Sequence, residues 1–203
     1  MKGMCVLKDK HKGETGYIVG SGPSLFNLTT IGAGPIITLN QAIIAVEKLE
    51  LPNKIYSMQK DGCVKPAHRL ECPKGCEHDR EPYINGGRPK KAALLLHFHE
   101  SLHCYPDHPE SYLFDNEGDF HISWDMPSVV SAINVQKLMG VKEIKLLCCD
   151  SYFGECHTAI HDLSGWSLMM HSLEETTDIV GYPLTNMFAE VHLQGIPHEW
   201  VQP

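Results

Sequence analysis

Apolar and polar positions along the first sixty residues fall into short blocks. Tyr17-Ile18-Val19 stops abruptly at Gly20-Ser21-Gly22-Pro23-Ser24, so it reads as a strand delivering a glycine-rich loop. Leu25 to Ile31 makes a brief helical turn that Gly32-Ala33-Gly34-Pro35 breaks. Ile36-Ile37-Thr38-Leu39 is a four-residue run ending at Asn40, the pattern of a buried strand. Ala42, Ile43, Val46 and Leu49 stand at helical spacing and predict a helix over Gln41–Leu49, ended by Leu51-Pro52-Asn53. Lys54 to Met58 reads as a third strand, with the run stopping at Asp61. Strand, helix, strand, helix, strand is the signature of a right-handed parallel α/β unit. Residues 1–16 are polar and punctuated by glycine, a short lead-in.

Periodicity then disappears. From Gly62 to Lys91 there is only Cys, His, Pro, Gly and charge, which marks an insertion. Ala92 to Phe98 is apolar enough for a fourth strand, and Tyr112 to Phe114 for a further short one. Ser128 to Met139 is the clearest helix, with Pro127 before it and Gly140 after it. Glu143 to Cys149 follows as a strongly buried strand ending at Asp150. Thr158 to Asn186 shows no consistent phase, Met187 to Gln194 reads as helix, and Ile196 to Val201 closes the sheet. The expectation is a single α/β domain over residues 1–203, a mainly parallel sheet flanked by helices, with a Cys/His-rich insertion at 62–91.

Composition narrows the function. A net charge of -8, from 17 basic and 25 acidic residues, argues against general nucleic-acid binding and adhesion to an anionic membrane. The N-terminal residues contain no secretory h-region and no segment has the length of a membrane span, so the chain reads as cytoplasmic. Eight cysteines in that setting point to thiols or metal ligands rather than a disulfide framework. Self-association is left open.

In an open α/β sheet, ligands bind off the carboxyl ends of the strands. Those ends are Ser21 and Gly22 after the first strand, Asn40 after the second, Asp61 after the third, and Asp150 with Tyr152 after the late one. Gly20 and Gly22 permit φ > 0 and close approach to a ligand, and Ser24 suits a helix cap, so the loop is a candidate phosphate site. Asn40 either hydrogen-bonds a ribose or base or caps the helix beginning at Gln41. Asp150 holds a ligand hydroxyl or a metal, or caps its loop. Separately, Cys63, Cys72, Cys76 and His78, spaced Cys-x8-Cys-x3-Cys-x-His, have the ligand set of a structural zinc site, with His68 as a substitute ligand. Cys148 and Cys149, on the late strand, should be core. His97 and His99 point the same way on a strand, as satisfied polar histidines or a second metal site.

The loop Gly20-Ser21-Gly22-Pro23-Ser24-Leu25, the pair Asn40-Gln41, and the block Gly140 to Leu146 running on to Asp150-Ser151-Tyr152 resemble the bacterial CMP-sialic acid sialyltransferases. They are also similar to the related group that includes the 6-hydroxymethylpterin diphosphokinases. The resemblance covers roughly the first sixty residues and residues 124–153, a little under half the chain. It implies a Rossmann-like sheet, with Gly20, Ser21, Gly22 and Ser24 lining nucleotide phosphates, Asn40 on the nucleotide sugar or base, and Ser128 approaching the nucleotide. It implies that Tyr152 hydrogen-bonds the departing phosphate, a phenol stabilising developing charge without a metal. A second tyrosine is absent, since Cys156, His157 and Thr158 stand there. The family's general base corresponds best to His171, with His157 and His161 as competitors. The activity implied is sugar transfer from a nucleotide donor to an acceptor hydroxyl. The alternatives are diphosphate transfer from ATP, with Mg²⁺ held by Asp61 or Asp150, and a zinc-stabilised nucleotide-binding protein without turnover.

Overall fold

The computed structural model describes residues 2–59, 89–96, 105, 108–113, 128–150 and 191–203. Within them one sheet contains β1 (Lys2–Gly3), β2 (Thr15–Val19), β3 (Ile36–Leu39), β4 (Ile55–Gln59), β5 (Ala93–Leu96), β6 (Ser111–Leu113), β7 (Glu143–Leu147) and β8 (His198–Val201). Their order is β1-β6-β5-β4-β3-β2-β7-β8 and every adjacent pair is parallel. The fold is therefore α/β and Rossmann-like. From β2 the chain steps outward through β3, β4, β5 and β6, then returns to the other side of β2 with β7 and β8. The order reverses between β2 and β7, and that is where such a sheet opens a crevice at its carboxyl edge.

Parallel strands covered on both faces need near-continuous apolar runs, and β5 supplies one, buried from Ala93 to Leu96. Helix α1 (Ala42–Lys48) packs Ala42 and Val46 on Tyr17, Val19 and Ile36. Helix α2 (Ser128–Leu138) packs Val130, Ile133 and Val135 on Ile18, Ile37 and Met58. Neighbouring strand residues point to opposite faces, so the two helices sandwich the sheet.

Helix α2 ends as its sequence predicts. Gly140 takes φ +78°, and a Cβ there would come within 2.9 Å of Asp9 Oδ1. Three of the carbonyls at this end accept from a segment expected to be mere lead-in: Asp9 N–H donates to Leu138 O, His11 N–H to Met139 O and Gly13 N–H to Gly140 O, each at 2.9 Å. Residues 2–14 are thus a strap, not a tail. It begins as β1 paired to β6, turns through a 3₁₀ helix (Met4–Leu7) that buries Met4 and Leu7 in the α2-side core, and reaches β2. Two apolar side chains among many charges were too sparse a signal to reveal it.

The other boundaries shift by a residue or two for local reasons. β2 begins at Thr15, whose hydroxyl donates to Glu143 Oε1 at 2.7 Å. β4 extends to Gln59 rather than ending at Met58. β7 stops at Leu147, because Cys148 takes φ +56° and leaves the strand; Cys148 is core as expected, while Cys149 is only partly buried. β8 closes one edge of the sheet, and the helical residues 191–193 precede it. Phe98, Phe114 and the start of the helix expected at Met187 lie outside the described residues.

Charged and phenolic groups gather around the strap at the amino side of β4 and β6. His11 Nε2 meets Tyr56 Oη at 3.0 Å and its Nδ1 meets Glu14 Oε1 at 3.0 Å. Tyr112 Oη donates to Glu110 Oε1 at 2.5 Å, and Lys54 pairs with Glu110 Oε2. Burial keeps both phenols protonated, with Tyr112 pushed up to about 12 by burial and by Glu110. Burial alone would raise the Glu110 carboxyl, but hydrogen bonds from Lys54 and Tyr112 and the charges of Lys54 and Lys10 outweigh it and hold it below its ordinary 4.5. A carboxyl held lower in the folded chain contributes stability that is complete above the unfolded value and is lost as pH falls through the folded one. Denaturant midpoints measured from about pH 7 down to about pH 3 should fall with acid, and less steeply in Glu110→Gln. Identical slopes would remove Glu110 from the acid response.

Candidate functional site

At the reversal point the ends of β2 and β7 are tied together. Gly20 N–H donates to Leu147 O at 2.8 Å and Gly22 N–H to Cys148 O at 2.9 Å. Asp150, 1% exposed, then receives Ser24 N–H on Oδ2 at 2.7 Å and the Ser24 hydroxyl on Oδ1 at 2.6 Å. The left-handed turn at Cys148 is what brings Asp150 back across to Ser24. Such a conformation at a non-glycine residue costs free energy, and here the hydrogen bonds around it hold it in place.

This geometry changes the role of the loop glycines. Gly22 sits at φ −68° and Gly20 is not left-handed, so neither uses the positive φ that the sequence suggested. What they provide is a missing side chain: a Cβ on Gly20 would lie 2.5 Å from Cys148 O, and one on Gly22 would lie 2.3 Å from Asp150 Oδ2. Nor is Ser24 a cap. The turn after the loop is a 3₁₀ helix (Pro23–Asn27) capped at Gly22 without any side-chain bond, and Ser24 lies inside it. The amides of Gly20, Gly22, Ser24 and Leu25 are all engaged and Pro23 has none, so among the described residues the loop offers an anion only the N–H of Ser21.

Asn40 follows β3 at φ +45°, a conformation that Asn tolerates better than most residues. Its N–H donates to Met58 O at 3.0 Å. Gln41, not Asn40, is the N-cap of α1, and it makes no side-chain cap bond. The Asn40 carboxamide is therefore not spent on the helix, and its Oδ1 is shut off from solvent with no partner. Ser128 opens α2. The far end of that helix is fixed at the amino side of the sheet, where Gln136 Nε2 donates to Tyr17 O and Pro35 O at 3.2 and 3.3 Å. Eleven residues rising about 1.5 Å each carry Ser128 toward the carboxyl side. One turn in, Ser131 Oγ is buried without a partner.

Three further polar side chains accompany this edge: Thr38, Ser57 and Gln59, all buried. Gln59 Nε2 donates to Ser57 Oγ at 2.7 Å and to Asn40 O at 3.2 Å. The signal for them was present, since Ser57 and Gln59 interrupt an otherwise apolar strand on one face. Among the described residues at these strand ends, Asp150 alone carries a charge. The two thiols beside it stay protonated: burial, reinforced by the Asp150 carboxylate, pushes Cys148 up to about 12 against the Ser24 hydrogen bond, and Cys149 rises for the same leading reason. Neither is poised as a nucleophile.

The expected catalytic pair Tyr152 and His171 and the expected zinc ligands Cys63, Cys72, Cys76 and His78 lie outside the described residues, as do Asp61, His68, His97, His99, His157 and His161. Among the described residues no group of three or more His, Cys, Asp or Glu is placed to hold a metal. Nor is any helix of theirs long and apolar enough to cross a membrane.

What the fold and this edge define together is a Rossmann-like α/β protein with buried polar side chains gathered at the carboxyl ends of its central strands. No protein-family model matches the chain. No curated protein matches it either. Among solved structures it is similar to the sialyltransferase CstII from Campylobacter jejuni, determined in complex with a substrate analogue, CMP-3FNeuAc. The two share 14% identity over 94% of this chain and 81% of that one, with a TM-score of 0.43.

The brace between β2 and β7 makes a coupled prediction. Gly22→Ala must displace the Asp150 carboxylate or the Cys148 carbonyl and should cost about 1–3 kcal/mol of stability. Asp150→Ala leaves two Ser24 donors unanswered and should cost a similar amount, about 1–3 kcal/mol. Because both break the same contact, the double variant should lose less than the sum by about 1 kcal/mol in urea denaturation. Strict additivity would mean that Gly22 is not seated against Asp150.

Proposed function

We propose that the chain is a nucleotide-dependent transferase, moving a sugar from a nucleotide donor to an acceptor hydroxyl. The observation that carries this reading is the meeting, at the point where strand order reverses, of the Gly20–Ser24 loop with Asp150, next to the unpartnered carboxamide oxygen of Asn40 at the end of the neighbouring strand and with Ser128 at the carboxyl-side end of α2. In this reading Gly20, Gly22, Ser24 and Asp150 shape the nucleotide site. The Ser21 amide meets phosphate, and Asn40 and Ser128 meet the nucleoside. Tyr152 then stabilises charge on the departing phosphate, and His171 accepts the proton of the attacking hydroxyl, as the motif resemblance implies.

Both Asp150 oxygens already accept from Ser24. That weighs against Asp150 as the Mg²⁺ ligand of the alternative, diphosphate transfer, and leaves that role to Asp61. Cys63, Cys72, Cys76 and His78 fit a structural zinc in the insertion, which metal analysis should find at about one ion per chain, the four-coordinate set of such sites.

Thermal shift with CMP, CDP, UDP, GDP, ADP and ATP, each with and without Mg²⁺, tests the reading directly. A nucleotide at about 100 times its dissociation constant adds about 2.7 kcal/mol, and one of the six should do so without metal. With the matching nucleotide sugar, Tyr152→Phe and His171→Ala should abolish transfer while nucleotide affinity persists. Silence from all six nucleotides would sink the proposal; binding without turnover in the unaltered chain would leave a nucleotide-binding protein.

A further inference from the structure

Gln59 was not anticipated from the sequence, and its setting is unusual. It ends β4 only 2% exposed, and both hydrogens of its amide nitrogen are committed, one to Ser57 Oγ and one to Asn40 O. A backbone carbonyl can only accept, so the bond to Asn40 O settles which end of the carboxamide is which. Nε2 is the inward, tethered end. Oε1 is left as an oriented acceptor with no partner among the described residues. On the adjacent strand, Asn40 Oδ1 is a second acceptor, shut off from solvent and equally without a partner. The same tether joins the two residues, through Gln59 Nε2 and Asn40 O.

Gln59 Oε1 is not shut off in the way that Asn40 Oδ1 is and stands beside it as an open acceptor. A buried acceptor without a donor, as Asn40 Oδ1 is, costs free energy, and native structures rarely keep one without a reason. Packing does not supply one, because both positions stand at the carboxyl edge, where apolar contact could have served. Two carbonyl oxygens at neighbouring strand ends, with no cation there among the described residues, would repel a phosphate. They suit a neutral group carrying two polarised hydrogens. We propose that Asn40 and Gln59 form a two-acceptor subsite at the ends of β3 and β4, which selects a nucleotide by paired donors, either the vicinal hydroxyls of ribose or the exocyclic amine of the base. The proposal rests on the nucleotide reading given above. Gln59 acts in it both as a ligand contact and, through its tether, as a positioning residue for Asn40.

The two sources of donors separate by calorimetry on the full chain with cytidine 5′-monophosphate, its 2′-deoxy analogue and uridine 5′-monophosphate. One lost hydrogen bond corresponds to about tenfold in affinity. A tenfold loss with the deoxy analogue assigns the subsite to ribose; the same loss with the uridine nucleotide assigns it to the base amine. Gln59→Met, of similar length but without an acceptor, should bind the cytidine nucleotide as weakly as the disfavoured analogue and lose the preference between them. A general weakening with the preference intact would indicate a structural role only and overturn the proposal. Should Gln59→Met not fold, the unaltered protein decides alone, because equal affinity for all three nucleotides removes the subsite while leaving nucleotide binding in place. If none of the three binds and all six nucleotides of the thermal-shift panel are silent, the nucleotide reading falls and the subsite with it; if a purine nucleotide alone binds, its 2′-deoxy form and its counterpart without the exocyclic amine replace these three, and equal affinity for them overturns the subsite alone.

Discussion

A carboxylate buried at the end of β7, answered by the amide and hydroxyl of a residue beyond β2, is the contact on which the carboxyl edge depends. The two strands run side by side, yet more than a hundred residues separate Ser24 from Asp150 in sequence. Four outer strands, β3 to β6, lie in the interval, so this contact ties together two distant parts of the chain. A buried charge without a cation is costly unless its lone pairs are filled by good donors. That requirement fixes the loop: Gly22 must lack a side chain to let Asp150 in, and Cys148 must turn left-handed to deliver it. Ser24 must sit inside the 3₁₀ turn rather than before it, so that its amide and hydroxyl face one carboxylate together.

The elements most legible in the sequence were those decided by uninterrupted apolar runs or strong end signals. Ile36–Leu39 is a strand from first residue to last because nothing polar but Thr38 breaks it, and α2 runs from Ser128 as the flanking Pro127 and Gly140 indicate. Legibility failed where long-range partners override local pattern. Met4 and Leu7 are too few to announce a strap, and its real determinants are α2 carbonyls more than a hundred residues away. The loop glycines read as positions for positive φ and Ser24 as a cap because Gly-x-Gly before a Ser carries that association. The competing demand, space for Asp150, is invisible until β7 is placed next to β2. Gln59 shows the converse, since its polarity on a buried strand was readable but its tether to Asn40 required knowing that β3 and β4 are neighbours.

The two edges of the sheet divide the chemistry. At the amino side, charges and phenols answer one another: Glu14 with His11, His11 with Tyr56, Tyr112 and Lys54 with Glu110. Nearly every group there has a partner, which is what a clasp holding a strap against a sheet needs. Among the described residues at the carboxyl side the one charge is turned inward to Ser24, and the side chains left without partners are neutral: Asn40 and Ser131 by a buried oxygen, Gln59 by an open one. The amino side also keeps one such atom, since Gln136 Oε1 is buried without a partner, but its ionisable groups answer one another. Among the described residues the two edges thus differ in kind of group: the amino side spends its ionisable side chains on one another, while the carboxyl side presents neutral acceptors, the groups on which the proposed nucleotide site depends.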